Sequence, residues 1–274
     1  MRRAGLLIVM ALAACSQPAP EPAPRVHPTI VSLNPCSDAI LAEVASPAQL
    51  LAISHYSQDP ASSSMDLAKA ARFRAVSGSA EEVLALRPDI VVADPFLPPA
   101  TRAALEQTGV RVVTLPIARS VAESRAQVAE LAQLSGRETQ GAALDARIEA
   151  ALAAALLGDT VRVRAIVWQA GGIVPGRDTL VADLLGRTGF ELQSAAKGMG
   201  QADVLPLEAL LADPPQVLFV AGNDHAQENR MLAHPALATL SDTRRIDFDS
   251  SLLWCGGPTI VRAAQKLAAA RRTL

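Results

Sequence analysis

The sequence predicts an α/β protein of two lobes with parallel sheets, joined by a single long backbone helix, with a ligand cleft between the lobes. Short runs of β-branched and aliphatic residues alternate with longer helical segments, a pattern typical of parallel sheets covered by helices. Two long helical segments interrupt this alternation once, between residues 119 and 158, after which it resumes. Beyond residue 26 the chain is long enough for two small domains or one large one.

The first lobe is assigned to residues 28–136, where compact apolar runs alternate with helical segments. Glycine and proline mark most of the boundaries, because they interrupt regular structure. Ser37 or Asp38 can cap the first helix, which follows Asn34-Pro35, and Gly136 suits the end of the last helix. The predicted strands of this lobe cover residues 29–33, 50–53, 90–93 and 110–115, and its predicted helices begin near residues 37, 81, 101 and 119.

The connecting helix is predicted over residues 137–158, because Leu144, Ile148 and Leu152 share one face at helical spacing. A helix of that length spans roughly 30 Å at 1.5 Å per residue. The second lobe is assigned to residues 159–274. Its predicted strands cover residues 161–168, 217–220 and 245–248, and its predicted helices cover residues 179–185, 206–211 and 258–270. Two lobes leave a cleft between them, and clefts between domains are favoured ligand sites.

The start of the chain predicts export and a lipid anchor. Arg2 and Arg3 precede an apolar run over residues 6–14, which is shorter than the roughly 20 apolar residues that span a bilayer and is typical of a secretory signal. Leu12-Ala13-Ala14-Cys15 resembles the bacterial lipoprotein signal, in which the cysteine is lipidated. An ordinary signal peptide with an incidental cysteine is the alternative. The proline-rich residues 16–27 predict an extended, semi-rigid linker. We therefore expect a periplasmic protein, and leave open which membrane holds Cys15.

Composition and motifs argue against several classes of function. A net charge of −2 without a basic stripe leaves a nucleic-acid partner without electrostatic support. The sequence lacks the common hydrolase, metalloprotease, phosphate-loop and dinucleotide motifs. The four histidines, at positions 27, 55, 225 and 234, show no metal-ligand spacing. These observations favour a binding protein without turnover and leave any metal site unknown.

Four segments resemble one family in their order and spacing: residues 30–38, 53–60, 81–91 and 207–217. That family is the periplasmic receptors for cobalamin, haem and ferric siderophores, which are substrate-binding proteins of ABC importers. The resemblance implies a monomeric, non-enzymatic receptor with no cofactor of its own. It would deliver a metal chelate to an inner-membrane permease and its ATPase. It also implies that Glu81 and Glu208 dock onto the permease, with Glu82 as an alternative to Glu81. A glutamate in the first turn of a helix is also favourable without any partner.

The resemblance places the ligand against loops that carry Asn34, Tyr56 and Trp254. Trp168 is a further candidate for the ligand-binding cleft, with packing in the core as its alternative. Aromatic rings offer large contact areas to a flat corrin or porphyrin. His55, next to Tyr56, is predicted as a further ligand-binding residue. Both His55 and His225 could add metal ligands, although a solvated loop histidine is the simpler interpretation.

Cys36 and Cys255 fall on two loops that should both face the cleft. They allow three interpretations: a disulfide between the lobes, two thiol ligands of a metal centre, or two unpaired residues at tightly packed positions. A competing class of function is a secreted α/β enzyme that uses Cys36 or Cys255 as a nucleophile or redox thiol, which would require a thiolate of low pKa. A third class is a structural envelope lipoprotein, which would lack a polar or aromatic cleft.

Overall fold

The computed structural model describes residues 27–156, 161–222, 232 and 234–274. The predicted signal peptide with Cys15, almost all of the proline-rich linker, and His225 lie outside the described residues. Among the helices of the described residues, none combines the length and the apolar character needed to cross a membrane.

The first lobe is a five-stranded parallel sheet with the strand order β3-β2-β1-β4-β5. Both faces of this sheet are covered, because consecutive strand residues such as Ile30 and Val31 belong to different buried clusters. A sheet covered on both faces produces continuous apolar runs in the sequence. The elements of the lobe are β1 (Ile30–Ser32), α1 (Pro35–Val44), β2 (Leu50–Ser54), α2 (Leu67–Ala70), β3 (Ala75–Val76), α3 (Ala80–Ala85), β4 (Ile90–Ala93), α4 (Pro99–Gln107), β5 (Arg111–Thr114) and α5 (Val121–Ser135).

A long helix, α6 (Glu138–Ala155), lies between the lobes and packs against α5 and α1 of the first lobe. The α5–α6 contact is close at Gly141, where an added Cβ would lie 2.3 Å from the Cβ of Ala132. The other side of α6 packs against the last helix of the second lobe. The predicted architecture of two parallel-sheet lobes and one connecting helix is confirmed.

The second lobe has a four-stranded parallel sheet with the strand order β11-β10-β6-β8, and a separate two-stranded pair of β7 and β9. Phe190, Phe219 and Phe248 pack edge to face across one surface of the main sheet, with ring centroids 5.2 and 5.5 Å apart. The elements are β6 (Val163–Gln169), β7 (Ile173–Val174), α7 (Leu180–Arg187), β8 (Phe190–Leu192), α8 (Gln193–Ala196), β9 (Asp203–Val204), α9 (Leu207–Ala212), β10 (Val217–Ala221), β11 (Arg244–Phe248) and α10 (Pro258–Arg271).

The start of α1 differs from the prediction. Asn34, rather than Ser37 or Asp38, caps the helix, and its Oδ1 accepts hydrogen bonds from the backbone N–H groups of Cys36 and Ser37 at 2.7 and 3.4 Å. Asp38 is fully buried, and its Oδ2 accepts from Ser54 N at 2.9 Å and from Ser57 Oγ at 2.7 Å. The Asp38 carboxyl therefore ties α1 to the end of β2.

Burial of Asp38 makes the stability of the fold depend on pH. Burial raises the pKa of the Asp38 carboxyl to about 8, although hydrogen bonds from Ser32, Ser57 and Ser54 lower it. The folded state holds this proton more tightly than the unfolded state does. Protonation of Asp38 therefore stabilises the fold fully below about pH 4, and this contribution is lost as the pH rises through 8. The free energy of unfolding should fall by up to about 1.4 kcal/mol per pH unit in between. Urea unfolding of the wild type and Asp38→Asn between pH 5 and 8 tests this, and equal slopes for the two proteins would contradict it.

Candidate functional site

A cavity of about 460 Å³ lies between the lobes. Its walls are formed where strands end: Asn34 follows β1, Phe96 follows β4 by a short turn, Leu115 follows β5, and Gln169 ends β6. The carboxyl ends of parallel strands are the usual ligand edge of an open α/β sheet. Both sheets direct this edge towards the same cavity, which makes the cavity the candidate ligand site.

Two exposed aromatic side chains dominate the apolar part of the cavity. Phe96 of the first lobe is 75% exposed, and Trp254 of the second lobe is 56% exposed. Ile117, which is 47% exposed, lies in the same wall. Large apolar side chains that remain this accessible beside a cavity indicate a surface that a ligand covers. Phe96 was not predicted as a site residue.

Some of the polar side chains of the cavity are held by hydrogen bonds within the protein. Asp94 Oδ1 accepts a hydrogen bond from Phe96 N at 2.7 Å, which shapes the turn that carries the Phe96 ring. Gln127 Nε2 donates to Pro116 O at 2.6 Å. Arg119 is exposed and lies 3.5 Å from Glu123 Oε1, so its guanidinium is held loosely. The cavity can therefore bind a largely apolar ligand that carries some polar or anionic groups at its edge.

Cys36 and Cys255 are joined by a disulfide, with their Cα atoms 4.9 Å apart. Cys36 lies in the first turn of α1 and Cys255 in the loop before α10, so the bond links the two lobes. Both residues line the cavity. The disulfide overturns the interpretations of these cysteines as free thiols, as metal ligands or as an enzymatic nucleophile, because a bonded sulfur is not a thiolate. In the described part of the chain, no group of three or more His, Cys, Asp or Glu residues is placed to hold a metal ion.

Hydrogen bonds also join the lobes beside the disulfide. Gly257 N donates to Ser124 Oγ at 2.7 Å, and Val121 N donates to Asp183 Oδ2 at 2.8 Å. Gly257 also lies against α1, and an added Cβ there would lie 2.5 Å from Ile40 Cγ1. The two lobes are therefore packed directly on each other at the base of the cavity.

The contact at Gly257 predicts a large effect of a single methyl group. Gly257 has a φ of 58°, which disfavours any other residue, and Gly257→Ala would also force its Cβ into Ile40. We expect this variant to lose about 1–3 kcal/mol of unfolding free energy from overpacking, with backbone strain added. The matched control is Gly109→Ala, since Gly109 has a φ of 84° and nothing within 4 Å of an added Cβ. Equal losses in denaturant unfolding of the two variants would contradict the packing argument.

Four of the predicted site residues line the cavity, and two lie outside it. Asn34, Cys36, Trp254 and Cys255 line the cavity, although Asn34 Oδ1 is occupied in capping α1. His55 and Tyr56 are exposed outside the cavity wall, with ring centroids 4.0 Å apart, and His55 Nδ1 lies 3.3 Å from Val76 O. His55 and Tyr56 therefore lie on the surface of the first lobe rather than in the cavity wall.

The proposed cleft position of Trp168 is wrong. Its side chain is completely buried in a cluster of apolar core residues of the second lobe, and its Nε1 donates to Leu205 O at 3.4 Å. Side chains alternate across a strand, so Trp168 faces away from the surface that carries Phe219 and α10. Packing in the core, the alternative weighed from the sequence, describes Trp168.

Glu81 and Glu208 lie in corresponding places on the two lobes. Each is exposed in the first turn of a short helix, α3 or α9. Within the part of the chain that the structure describes, neither carboxylate has an ion pair or a side-chain hydrogen bond. Glu82 differs, because its Oε2 accepts from Ser77 N at 2.7 Å and from Ser77 Oγ at 2.5 Å. These hydrogen bonds lower the pKa of Glu82 and leave Glu81 as the less engaged carboxylate.

Two lobes of parallel sheet, one connecting helix and a cavity between the strand ends define a bilobal binding protein. The family model described as "Periplasmic binding protein" matches residues 30–244. The chain belongs to this family, which is one of binding proteins. No curated protein sequence matches the chain significantly.

Three solved structures illustrate the fold. A periplasmic heme-binding protein from Roseiflexus sp. RS-1, in apo form, has 23% identity and a TM-score of 0.67, with 89% of this chain and 97% of that chain covered. A periplasmic heme-binding protein of Vibrio cholerae has 17% identity and a TM-score of 0.73, with 89% and 98% covered. The periplasmic vitamin B12-binding protein of Vibrio cholerae has 17% identity and a TM-score of 0.67, with 90% and 97% covered. At these identities the likeness establishes the fold.

Proposed function

We propose that this protein is the substrate-binding component of an ABC importer and that it captures a metal chelate in the cleft between its lobes. Corrinoid, haem and ferric siderophore are the candidate classes of ligand. The observation that carries the proposal is the cavity of about 460 Å³ with Phe96 and Trp254 exposed on its opposite lobes. Two aromatic faces suit a flat macrocycle, which loses more apolar surface to them than to aliphatic side chains. The metal in this proposal belongs to the ligand.

The two exposed carboxylates support the proposed delivery to a permease. Glu81 and Glu208 belong to different lobes, so a permease that contacts both would recognise the receptor as a unit. Charge pairs of this kind mainly set the orientation and the rate of association. A lipid on Cys15 and a proline-rich linker would keep the loaded receptor near its membrane.

The binding protein is favoured over the thiol-dependent enzyme by the disulfide and by the family. The enzyme needs one of the two cysteines as a thiolate, and both are bonded. A purely structural lipoprotein would have no use for a cavity that exposes aromatic rings. Transport is therefore the function that the geometry supports best.

A ligand panel tests the proposal directly. The mature protein is mixed in turn with cobalamin, cobinamide, haem and several ferric siderophores, and its unfolding temperature is followed. A chelate present at 100 times its dissociation constant should stabilise the protein by about 2.7 kcal/mol. For a chain of this size that corresponds to a rise of roughly 5–10 °C in Tm. The matched control is Phe96→Ala, which should reduce the shift. If no chelate changes the melting of the wild type, the proposed ligand class is wrong.

A further inference from the structure

The Cys36–Cys255 disulfide lies at the ligand cavity, a position that is not needed merely to cross-link the two lobes. Cys36 and Cys255 are separated by 219 residues, and their bond lies in the wall of the ligand cavity rather than at the rear of the molecule. On the first lobe, Cys36 is fixed by its place in the first turn of α1, where its N–H is bonded to Asn34. On the second lobe, Cys255 directly follows the exposed Trp254. The bond therefore connects a rigid helix start to the loop that carries an aromatic ring of the cavity.

The loop that carries Trp254 has few other polar connections to the first lobe. Before Cys255, the described hydrogen bonds of residues 249–254 stay within the loop, as in Ser251 N to Asp249 Oδ1 at 2.9 Å. The carbonyl oxygen of Trp254 lies 3.7 Å from Cys36 Sγ. The polar contacts between the lobes here begin after Cys255, at Gly257, Thr259 and Arg262.

The Trp254 ring itself has little packing to hold it. More than half of the side chain is exposed, whereas its neighbours Leu252 and Cys255 are buried at 6% and 3% exposure. The direction of such a ring depends on its backbone, and the Trp254 backbone is bounded on one side by the disulfide. A second ring, that of Phe96, lies on a turn of the first lobe that is fixed by a hydrogen bond from Phe96 N to Asp94 Oδ1.

We propose that the Cys36–Cys255 disulfide is a positioning element of the ligand site, which holds Trp254 and Phe96 at a fixed separation before the ligand arrives. This inference rests on the proposed function, because it assigns the two rings to ligand binding. Without the bond, the Trp254 loop would sample conformations in which the rings do not face one ligand. The apparent dissociation constant rises in inverse proportion to the competent fraction. A site that adopts the ligand-binding conformation in one tenth of the molecules would bind about tenfold more weakly.

The sequence provides a spectroscopic test, because it holds two tryptophans and one of them is Trp168 in the core. Trp168→Phe leaves Trp254 as the sole tryptophan. In this background, the time-resolved fluorescence anisotropy of Trp254 is compared with the disulfide intact and in C36S/C255S, both without ligand. We expect the double variant to gain a fast component of local motion. Unchanged anisotropy would overturn the inference.

Affinity is the second readout, taken with whichever chelate stabilises the wild type. C36S/C255S should bind it about tenfold more weakly or worse. The matched control for a general loss of stability is Leu105→Ala, because Leu105 is fully buried in α4 of the first lobe and does not line the cavity. This control should melt at a lower temperature yet keep its affinity. Equal affinities of C36S/C255S and the wild type would overturn the inference.

The outcomes also separate this inference from the proposed function. If no chelate binds but the anisotropy changes, the choice of ligand is wrong while the disulfide still positions Trp254. If a chelate binds both proteins equally and the anisotropy is constant, the receptor function stands and the positioning role fails. Should C36S/C255S not fold, the folded Trp168→Phe protein is reduced with a phosphine, and the same two measurements are made before and after reoxidation. Anisotropy and affinity that do not respond to reduction would overturn the inference.

Discussion

Trp168→Ala should destabilise the fold by about 3–5 kcal/mol, whereas Trp254→Ala should leave stability within about 0.5 kcal/mol of the wild type and weaken chelate binding. The first effect follows from the burial of Trp168, which has no exposed surface, since removing a buried indole leaves a cavity in the core. The second follows from the 56% exposure of Trp254 in the wall of the ligand cavity. An aromatic ring at the centre of a binding surface contributes 2 kcal/mol or more in many interfaces, which is roughly a thirtyfold change in affinity.

Denaturant unfolding and chelate titration of both variants measure the two effects. Trp168→Phe serves as the conservative control for the core position, and Trp254→Phe as the control for the cavity. Trp168→Ala that remains folded should keep most of its affinity. A Trp254→Ala protein that binds the chelate as tightly as the wild type would exclude Trp254 from the ligand site.

The sequence could not distinguish the two tryptophans by pattern alone. The strand β6 is covered on both faces, so its residues 165–168 form a continuous apolar run without the alternation that assigns a face. Trp254 stands among glycines and a cysteine before α10, where no apolar partner is required. The loop position of Trp254 was therefore informative, and the strand position of Trp168 was not.

Phe96 shows a signal that the sequence does contain. It stands two residues after Asp94, at the carboxyl end of β4, which is the edge where ligands bind in open parallel sheets. The short edge strand β8 carried no comparable signal, because its three residues, Phe190–Leu192, are fewer than a periodic pattern needs. The overall alternation of strands and helices could be predicted because glycines and prolines bound many of the longer elements.

The pairing of Cys36 with Cys255 could be weighed but not decided from sequence. A disulfide needs Cα atoms within about 7 Å of each other, and that distance depends on how the two lobes pack. Close contacts at Gly257 and Ser124 bring the loops of Cys36 and Cys255 together, and the sequence around these two residues does not indicate this role. The sequence therefore predicted the loops that meet at the cleft, while the packing of the lobes determined which of the three interpretations holds.

Reversal of the two charges that we propose to dock onto the permease, in Glu81→Lys/Glu208→Lys, should abolish stimulation of the permease-bound ATPase and leave chelate affinity unchanged. Both glutamates are exposed, lie in the first turns of α3 and α9 and do not line the ligand cavity. Removing one partner of a charge pair that is desolvated on binding costs about 2–5 kcal/mol, which weakens the complex roughly 30-fold or more for each site. The measurement is ATPase stimulation in nanodiscs that contain the permease complex, with the chelate-loaded receptor titrated against it.

The control for this pair is Glu130→Lys, because Glu130 is an exposed carboxylate of α5 away from both helix starts. Its charge reversal should leave ATPase stimulation near that of the wild type. Each single variant should show an intermediate loss, since one lobe would still engage the permease while the other is repelled. A raised salt concentration should weaken the wild-type complex in the same direction, because exposed charges are screened within about 8 Å at physiological ionic strength. Full stimulation by Glu81→Lys/Glu208→Lys would show that the permease recognises another surface of the two lobes.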